Sequence, residues 1–162
     1  MWQFNTYKKN DNWETPIEYL ERIEPYIPKN LTIHDPFYMN GNVKKTWKKL
    51  GRDIIHENKD FFTIEKNDKQ EIYVGNPPYS ILNDVLKKLF ILNKPFVLLI
   101  PITKITLIKT QRILKDKPHL QLIPSPIYIG FIDPSGNRTK CPSQYFCYLC
   151  YKLFLKKDFL YI

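Results

Sequence analysis

One stretch of the sequence reads Glu71-Ile72-Tyr73-Val74-Gly75-Asn76-Pro77-Pro78-Tyr79-Ser80, an apolar run that ends in two consecutive prolines. The apolar run predicts a short β-strand. Because proline fixes φ, lacks an N–H and keeps the preceding residue out of the helical region, the backbone is expected to stay extended after the strand ends. Its carbonyls then have no ladder partners and can face a ligand. The carboxyl end of a strand is also where open α/β sheets bind ligands.

Three side chains give this turn its chemical capacity. Asn76 carries an amide that both donates and accepts hydrogen bonds. Tyr79 offers a flat ring that is suited to stacking on a base. Ser80 begins a stretch with apolar residues at helical spacing. The sequence therefore predicts a binding site between a strand and a helix.

Strands and helices alternate on both sides of this turn through about residue 115, and strands dominate after it. This alternation predicts an α/β fold with a mainly parallel sheet, a C-terminal antiparallel hairpin and helices over the sheet. Thr15, Pro16 and Glu18 form a capping box, with Thr15 as the N-cap of the first helix. The predicted helices are 17–24, 43–50, 80–92 and 103–114, and the predicted strands are 31–34, 53–57, 71–75, 96–100, 120–123, 128–131 and 144–153, with 159–162 as an edge strand.

The bulk composition favours an intracellular, soluble protein, in the cytoplasm or the nucleus, with a polyanionic partner. The 162 residues suit one domain, and a hydrophobic fraction of 43% excludes a disordered chain. Lys and Arg total 25 against 16 for Asp and Glu, and the resulting net charge of +9 suits nucleic acid. No apolar signal region opens the sequence, and no uncharged apolar run reaches the length of a membrane span.

Cysteine usage indicates a reducing compartment, because there are only three cysteines: Cys141, Cys147 and Cys150. Cys147 and Cys150 have the spacing of a metal knuckle, but a zinc site needs four ligands, usually from two such pairs. A strand also directs these two side chains to opposite faces. We therefore expect buried free thiols and no metal.

The turn Asn76-Pro77-Pro78-Tyr79 resembles the catalytic motif of S-adenosylmethionine-dependent methyltransferases that act on the exocyclic N6 amine of adenine. The resemblance implies a Rossmann-like methyltransferase sandwich with S-adenosylmethionine as its cofactor. It also implies that the Asn76 side-chain oxygen and the Pro77 carbonyl accept hydrogen bonds from the target amine. The Tyr79 ring is then expected to stack on a base extruded from nucleic acid, and Pro78 belongs to the same rigid motif.

Two upstream segments resemble the parts of that family that bind the methionine end of the cofactor. Thr15-Pro16 is similar to the motif whose backbone and hydroxyl lie near this end. Asp35-Pro36-Phe37 together with Gly41 is similar to the cofactor loop that follows the first strand. Met39 departs from the family pattern, which usually has glycine there, so that Gly41 alone must allow close backbone approach.

The end of the second predicted strand is expected to bind the adenosine part of the cofactor. Glu57 is placed to accept hydrogen bonds from the ribose hydroxyls, with His56 as the nearby alternative. The resemblance further implies that Asp60 accepts from the adenine amine and that Phe61 packs on the adenine ring.

Two basic segments are expected to contact nucleic acid. Residues 1–14 are a polar and aromatic segment that includes Lys8 and Lys9, and the loop 132–143 includes Arg138 and Lys140, which suit phosphates. Residues 15–162 are predicted to form a single methyltransferase domain without a target-recognition domain. Target selectivity is then expected to come from these segments or from a partner protein. We favour DNA slightly over RNA.

Two other functions fit the same residues. A non-catalytic nucleic-acid-binding module of the same fold would explain the departure at Met39, but it has no need of an intact Asn-Pro-Pro-Tyr turn. A protein glutamine N-methyltransferase uses a related turn, but the net charge of +9 favours nucleic acid over protein. The adenine methyltransferase hypothesis therefore leads.

Overall fold

A mixed sheet of six strands forms the centre of the molecule in the computed structural model, which describes residues 13–128, 130–139 and 144–162. The strand order is β2-β1-β3-β4-β6-β5. The strands are β1 Thr32–His34, β2 Ile54–Ile55, β3 Glu71–Gly75, β4 Phe96–Pro101, β5 Leu120–Pro124 and β6 Phe146–Tyr151.

The direction of the strands brings most of the loops of interest to one edge of the sheet. β1 runs parallel to β2 and to β3, and β3 runs parallel to β4. β6 runs antiparallel to both of its neighbours, β4 and β5. The carboxyl ends of β1 to β5 and the amino end of β6 therefore share one edge, which we call the carboxyl edge. This arrangement confirms the mainly parallel α/β sheet with a C-terminal antiparallel part, and it is compatible with a Rossmann-like fold.

Helices cover both faces of the sheet. On one face, Tyr19 and Ile23 of α1 and Trp47 of α2 pack with Ile33 and Val74 of the sheet. On the other face, the apolar side of α3 packs against β4 and β6. The spacing of buried residues along α3 matches the helical period expected from the sequence. The helices are α1 Ile17–Ile23, α2 Asn42–Lys49, α3 Leu82–Leu92 and α4 Ile108–Leu114. Within the described residues, no helix is both long and apolar enough to cross a membrane.

Strand β6 is buried along its whole length, and its two thiols lie on opposite faces of the sheet. Cys150 packs with the α1 and α2 side, whereas Cys147 packs with the α3 side. Both are free and buried, as predicted, and burial raises the pKa of the Cys147 thiol to about 12. Cys141 lies outside the described residues, among which no group of three or more His, Cys, Asp or Glu side chains is arranged to hold a metal.

Four local predictions were wrong. The N-cap of α1 is Pro16 rather than Thr15, no side chain caps this helix, and the Glu18 carboxylate binds Arg138. The predicted helix 103–114 is a 3₁₀ helix over Ile102–Thr106 followed by α4. No described residue of the predicted strand 128–131 is in a strand, and the predicted edge strand 159–162 reduces to one isolated bridge from Phe159 to Leu122.

Candidate functional site

The turn after β3 has the extended backbone that its prolines predict. Every residue of β3 is buried, and Pro77 and Pro78 continue this burial. Pro78 adopts φ −60° and ψ 117°, and a 3₁₀ turn over Tyr79–Ile81 then leads into α3. Asn76 is half-buried between β3 and the prolines. A central strand and a well-packed helix thus fix the position of the Asn76 side chain.

Asn76 and Tyr79 are joined by a hydrogen bond, in which the Tyr79 hydroxyl donates to Asn76 Oδ1. The Tyr79 ring is half-buried and lies 6.2 Å from the ring of Phe146 between centroids. Because an amide oxygen has two lone pairs, Asn76 Oδ1 retains the capacity to accept a second hydrogen bond. The hydroxyl therefore orients the amide without using up its acceptor capacity.

The loop after β1 buries a carboxylate beside this turn. Asp35 is only 4% exposed, and its Oδ1 accepts a hydrogen bond of 3.0 Å from the Phe37 N–H. Burial raises the pKa of Asp35 to about 7, because desolvation outweighs the favourable effect of that N–H. Asp35 therefore exchanges a proton near neutral pH.

Gly75 allows the β1 loop to pack directly on the end of β3. A Cβ at this position would lie 2.7 Å from the Phe37 ring and 2.9 Å from Asp35 Oδ1. Both distances are too short for non-bonded atoms, so that any larger residue would push the two loops apart. The glycine before Asn76 thus brings the β1 loop and the Asn76 turn into contact.

His56 follows β2 and closes the site on its other side. Its Nδ1 lies 2.9 Å from the Asp35 carbonyl oxygen, and its ring stacks on Tyr38 with 4.8 Å between centroids. Burial, as the largest cause, lowers the pKa of His56, which favours the neutral ring. Since the carbonyl can only accept, Nδ1 carries the proton and Nε2 is left as an acceptor. Nε2 is buried and has no hydrogen-bond partner among the described residues.

These loops surround one cleft at the carboxyl edge. It contains about 580 Å³ of space, counting the part open to solvent, of which about 40 Å³ can hold the centre of a water molecule. The lining residues are Glu14, Thr15, Leu20, Ile23, Asp35, Phe37, Met39, Asn40, Val43, His56, Val74, Gly75, Asn76, Val97, Leu99 and Tyr148.

Several predicted site residues meet in or beside this cleft. Thr15, Asp35, Phe37 and Asn76 line it. Pro16, next to Thr15, is buried. The structure also adds residues that sequence reasoning missed or treated as secondary. Glu14, Asn40 and Val43 were not considered, Met39 was noted only as a departure from glycine, and His56 was only the alternative to Glu57.

The β1 loop is tied to the segment before α1. Glu14 Oε2 accepts hydrogen bonds from the side-chain amides of Asn40 at 3.1 Å and Asn42 at 3.2 Å. Gly41, between these two asparagines, has φ 77°, which favours glycine, and is the N-cap of α2. It does not line the cleft, and its close approach to a cofactor stays a prediction. The proximity of Glu14 to Thr15-Pro16 was the only signal in the sequence that could have pointed to this contact.

The three residues predicted to bind adenosine do not line the cleft. Glu57 is exposed and forms an ion pair with Lys59. Asp60 is exposed, and its carboxylate accepts a 2.9 Å hydrogen bond from the Phe62 N–H, which caps a short 3₁₀ helix. Phe61 is 1% exposed and packs against Phe37 with 5.4 Å between ring centroids. Phe61 thus supports the β1 loop from behind.

Of the four residues predicted to contact nucleic acid, the structure describes only Arg138. Arg138 forms two hydrogen bonds with the Glu18 carboxylate, at 2.7 and 3.1 Å, and the hydrogen bond from Arg138 lowers the pKa of Glu18. Lys8, Lys9 and Lys140 lie outside the described residues. Sequence reasoning also passed over helix α2, whose exposed lysines have no ion-pair partner within the described ranges: Lys44, Lys45, Lys48 and Lys49.

Comparisons with models of protein families, with characterised proteins and with solved structures found no match to this chain. The chemistry of the site therefore has to be inferred from its own residues. They offer an oriented amide beside an aromatic ring, a buried carboxylate that titrates near neutrality and an imidazole acceptor. This set offers hydrogen-bond acceptors and a carboxylate to a ligand in the cleft.

Proposed function

We propose that the protein is a methyltransferase that transfers a methyl group from S-adenosylmethionine to the exocyclic N6 amine of adenine in nucleic acid, with DNA slightly favoured over RNA. One observation carries this proposal. Asn76, the first residue of the Asn76-Pro77-Pro78-Tyr79 turn at the carboxyl end of the central strand β3, lines the same cleft as Asp35 and His56. The sequence motif and the cleft thus occur together.

The residues of the cleft fit this cofactor. S-adenosylmethionine supplies an electrophilic methyl group on a positively charged sulfonium, and it also carries an ammonium group. Glu14 and Asp35 provide carboxylates for positive charge, and Phe37 and Met39 provide apolar wall. His56 Nε2 is a buried acceptor suited to a hydroxyl donor such as ribose, and this position favours it over the exposed Glu57.

Asn76 and Pro77 act on the target amine. The lone pair of an aromatic amine is delocalised into the ring, which makes the nitrogen a poor nucleophile. Acceptors at Asn76 Oδ1 and at the Pro77 carbonyl bind the two N–H groups and favour a tetrahedral nitrogen in the transition state. Most of the remaining acceleration comes from holding the nitrogen and the methyl group in line.

Tyr79 has two tasks in this mechanism. Its ring offers a stacking surface for the adenine, and its hydroxyl holds Asn76 Oδ1 in place. The ring of Phe146 packs against Tyr79 and limits its movement. The base is therefore positioned by a residue that is itself fixed by the core.

The test is methyl transfer from S-adenosylmethionine labelled in the methyl group, offered in parallel to DNA, RNA and a protein mixture. We expect label in nucleic acid, recovered as N6-methyladenosine or its deoxy form after digestion to nucleosides. Calorimetric titration with S-adenosylmethionine should show binding without nucleic acid. Label in protein glutamine would support the alternative substrate, and a protein that neither binds the cofactor nor transfers methyl groups would contradict the proposal.

A further inference from the structure

Two exposed tyrosines lie against one another outside the cleft. Tyr128 is 48% exposed and Tyr145 is 69% exposed, and their rings are 4.9 Å apart between centroids with 31° between their planes. Exposing two large rings side by side costs hydrophobic free energy, since each would be more stable buried. We call this pair the tyrosine platform.

The tyrosine platform lies on the same edge of the sheet as Asn76. Tyr145 directly precedes β6, whose amino end lies at the carboxyl edge, and the next residue, Phe146, is in ring contact with Tyr79. The Tyr145 carbonyl accepts a 2.9 Å hydrogen bond from the Ile102 N–H. Gln144 is bonded to the Thr103 hydroxyl at 3.1 Å. Hydrogen bonds to the 3₁₀ helix Ile102–Thr106 thus hold the chain at Tyr145, while its ring is exposed to solvent.

The surroundings favour a nucleic-acid ligand over an apolar one. Lys104 lies in the 3₁₀ helix that bonds to the Tyr145 segment, and it has no ion-pair partner among the described residues. The chain as a whole carries a net charge of +9. Exposed aromatic rings on a basic protein can bind single-stranded nucleic acid, because every base has a face that stacks.

We propose that the tyrosine platform is a second stacking site, for an unpaired base that neighbours the target nucleotide. The proposal rests on the proposed function, which makes nucleic acid the partner of this edge. The reacting base is assigned to Tyr79, which is hydrogen-bonded to Asn76, so the base on the platform is a neighbour of the target nucleotide. Since a base in a duplex has no free face, the preferred substrate is single-stranded or locally melted nucleic acid.

The experiment measures binding of short fluorescent oligonucleotides by anisotropy, without cofactor. The probes are an oligothymidine, a mixed single strand that contains adenine, and the duplex of that strand. Tyr145→Ala should weaken binding of both single strands by roughly fivefold to a hundredfold, as expected for one lost base stack. Tyr145→Phe, which keeps the ring, should bind like the wild type. The slope of log K against log salt should be unchanged in both variants, because no phosphate contact is lost.

A matched control lies at the opposite edge of the sheet. Phe154 follows β6, is 70% exposed and is in ring contact with His119. Phe154→Ala should leave binding of all three probes unchanged. Equal weakening by Phe154→Ala, equal affinity of wild type and Tyr145→Ala for single strands, or no binding of single strands by the wild type would each overturn the platform.

The two proposals fail separately. Oligothymidine contains no adenine, so its binding does not depend on methyl transfer. Tyr145-dependent binding of oligothymidine without any methyl transfer would support the tyrosine platform and contradict the proposed enzyme activity. Normal methyl transfer, with the same affinity of wild type and Tyr145→Ala for single strands, would support the proposed enzyme activity and contradict the tyrosine platform.

Discussion

Two buried carboxylates, near opposite ends of strand β3, have opposite electrostatic environments. Glu71, at the amino end of β3, lies 3.0 Å from the Asn67 amide, 3.3 Å from the Tyr73 hydroxyl and 3.4 Å from His34 Nδ1. Burial alone would raise the pKa of Glu71, but the nearby His34 imidazole and the hydrogen bonds from Asn67 and Tyr73 outweigh it and lower the pKa to about 2. Asp35, at the carboxyl edge, accepts one backbone hydrogen bond, and burial raises its pKa to about 7.

The difference separates a structural carboxylate from one whose charge a ligand can stabilise. The charge of Glu71 is already compensated by its neighbours, so it contributes to folding and leaves nothing for a ligand. The charge of Asp35 is poorly compensated, and a cation bound in the cleft would lower its pKa and gain binding energy from doing so. The same contrast predicts which substitutions change activity and which change stability.

The largest effect is expected at Asn76, the polar side chain at the carboxyl end of β3. Asn76→Ala should reduce methyl transfer by about a thousandfold, roughly 4 kcal/mol in the barrier, as for other single groups that act on the reacting atoms. Cofactor affinity and the thermal midpoint should stay close to those of the wild type, because the amide does not hold the fold together. An equal loss of cofactor binding or of stability would show that Asn76 has a structural role instead.

The next effect is on stability and concerns Glu71. A pKa shift from 4.5 to about 2 corresponds to about 3 kcal/mol, so Glu71→Gln should lower the free energy of unfolding by roughly that amount at pH 7. Because the folded pKa is depressed, this contribution is present above pH 4.5 and is lost as the pH falls towards about 2. Urea titrations at several pH values measure it, with the exposed Glu65→Gln as the control. A loss that did not depend on pH would show that packing, not charge, stabilises this site.

Asp35→Asn should act with the opposite sign. The raised folded pKa means that wild-type stability falls as the pH rises from about 4 to about 7, when the buried carboxyl ionises. We expect the variant to be more stable than the wild type by about 1–3 kcal/mol above pH 7, and less stable than the wild type near pH 4, where the Asp35 carboxyl is neutral. This is less than the full shift would give, because the new Asn amide donor is also buried. The same variant should bind S-adenosylmethionine more weakly.

The control for this prediction is Asp53→Asn, an exposed aspartate next to β2. Comparing each variant with the wild type at every pH removes the effect of His56, whose own pKa is lowered by burial. If Asp35→Asn were destabilised at pH 8, the contrast with Glu71 would be lost, since both carboxylates would then stabilise the fold.

The sequence predicted the backbone of the β3 turn better than it predicted the environments of the carboxylates. The β3 turn was predictable because two prolines after an apolar run restrict the backbone to an extended conformation. The burial of Asp35 was not, since it depends on Gly75 letting two loops meet. The capping box failed for a similar reason, because Glu18 is bound by Arg138, which is 120 residues away. Glu57 and Asp60, by contrast, are held by contacts only two residues away, with Lys59 and with the Phe62 N–H.

The smallest effect is expected at Arg138, a surface residue to which the same distinction between compensated and uncompensated charges applies. The sequence predicts a phosphate contact for this residue, but its guanidinium is already paired with Glu18 through two hydrogen bonds. It would have to leave that partner to bind a phosphate. We therefore expect Arg138→Ala to make the slope of log K against log salt shallower by less than the roughly 0.7–0.9 units of one free contact. Glu18→Gln should strengthen nucleic-acid binding slightly, because it releases the guanidinium. Salt titrations of the wild type and both variants decide the matter. A full unit lost in Arg138→Ala, with no change in Glu18→Gln, would show that this arginine binds phosphate in spite of its pair, and the distinction between compensated and uncompensated charges would not hold at the surface.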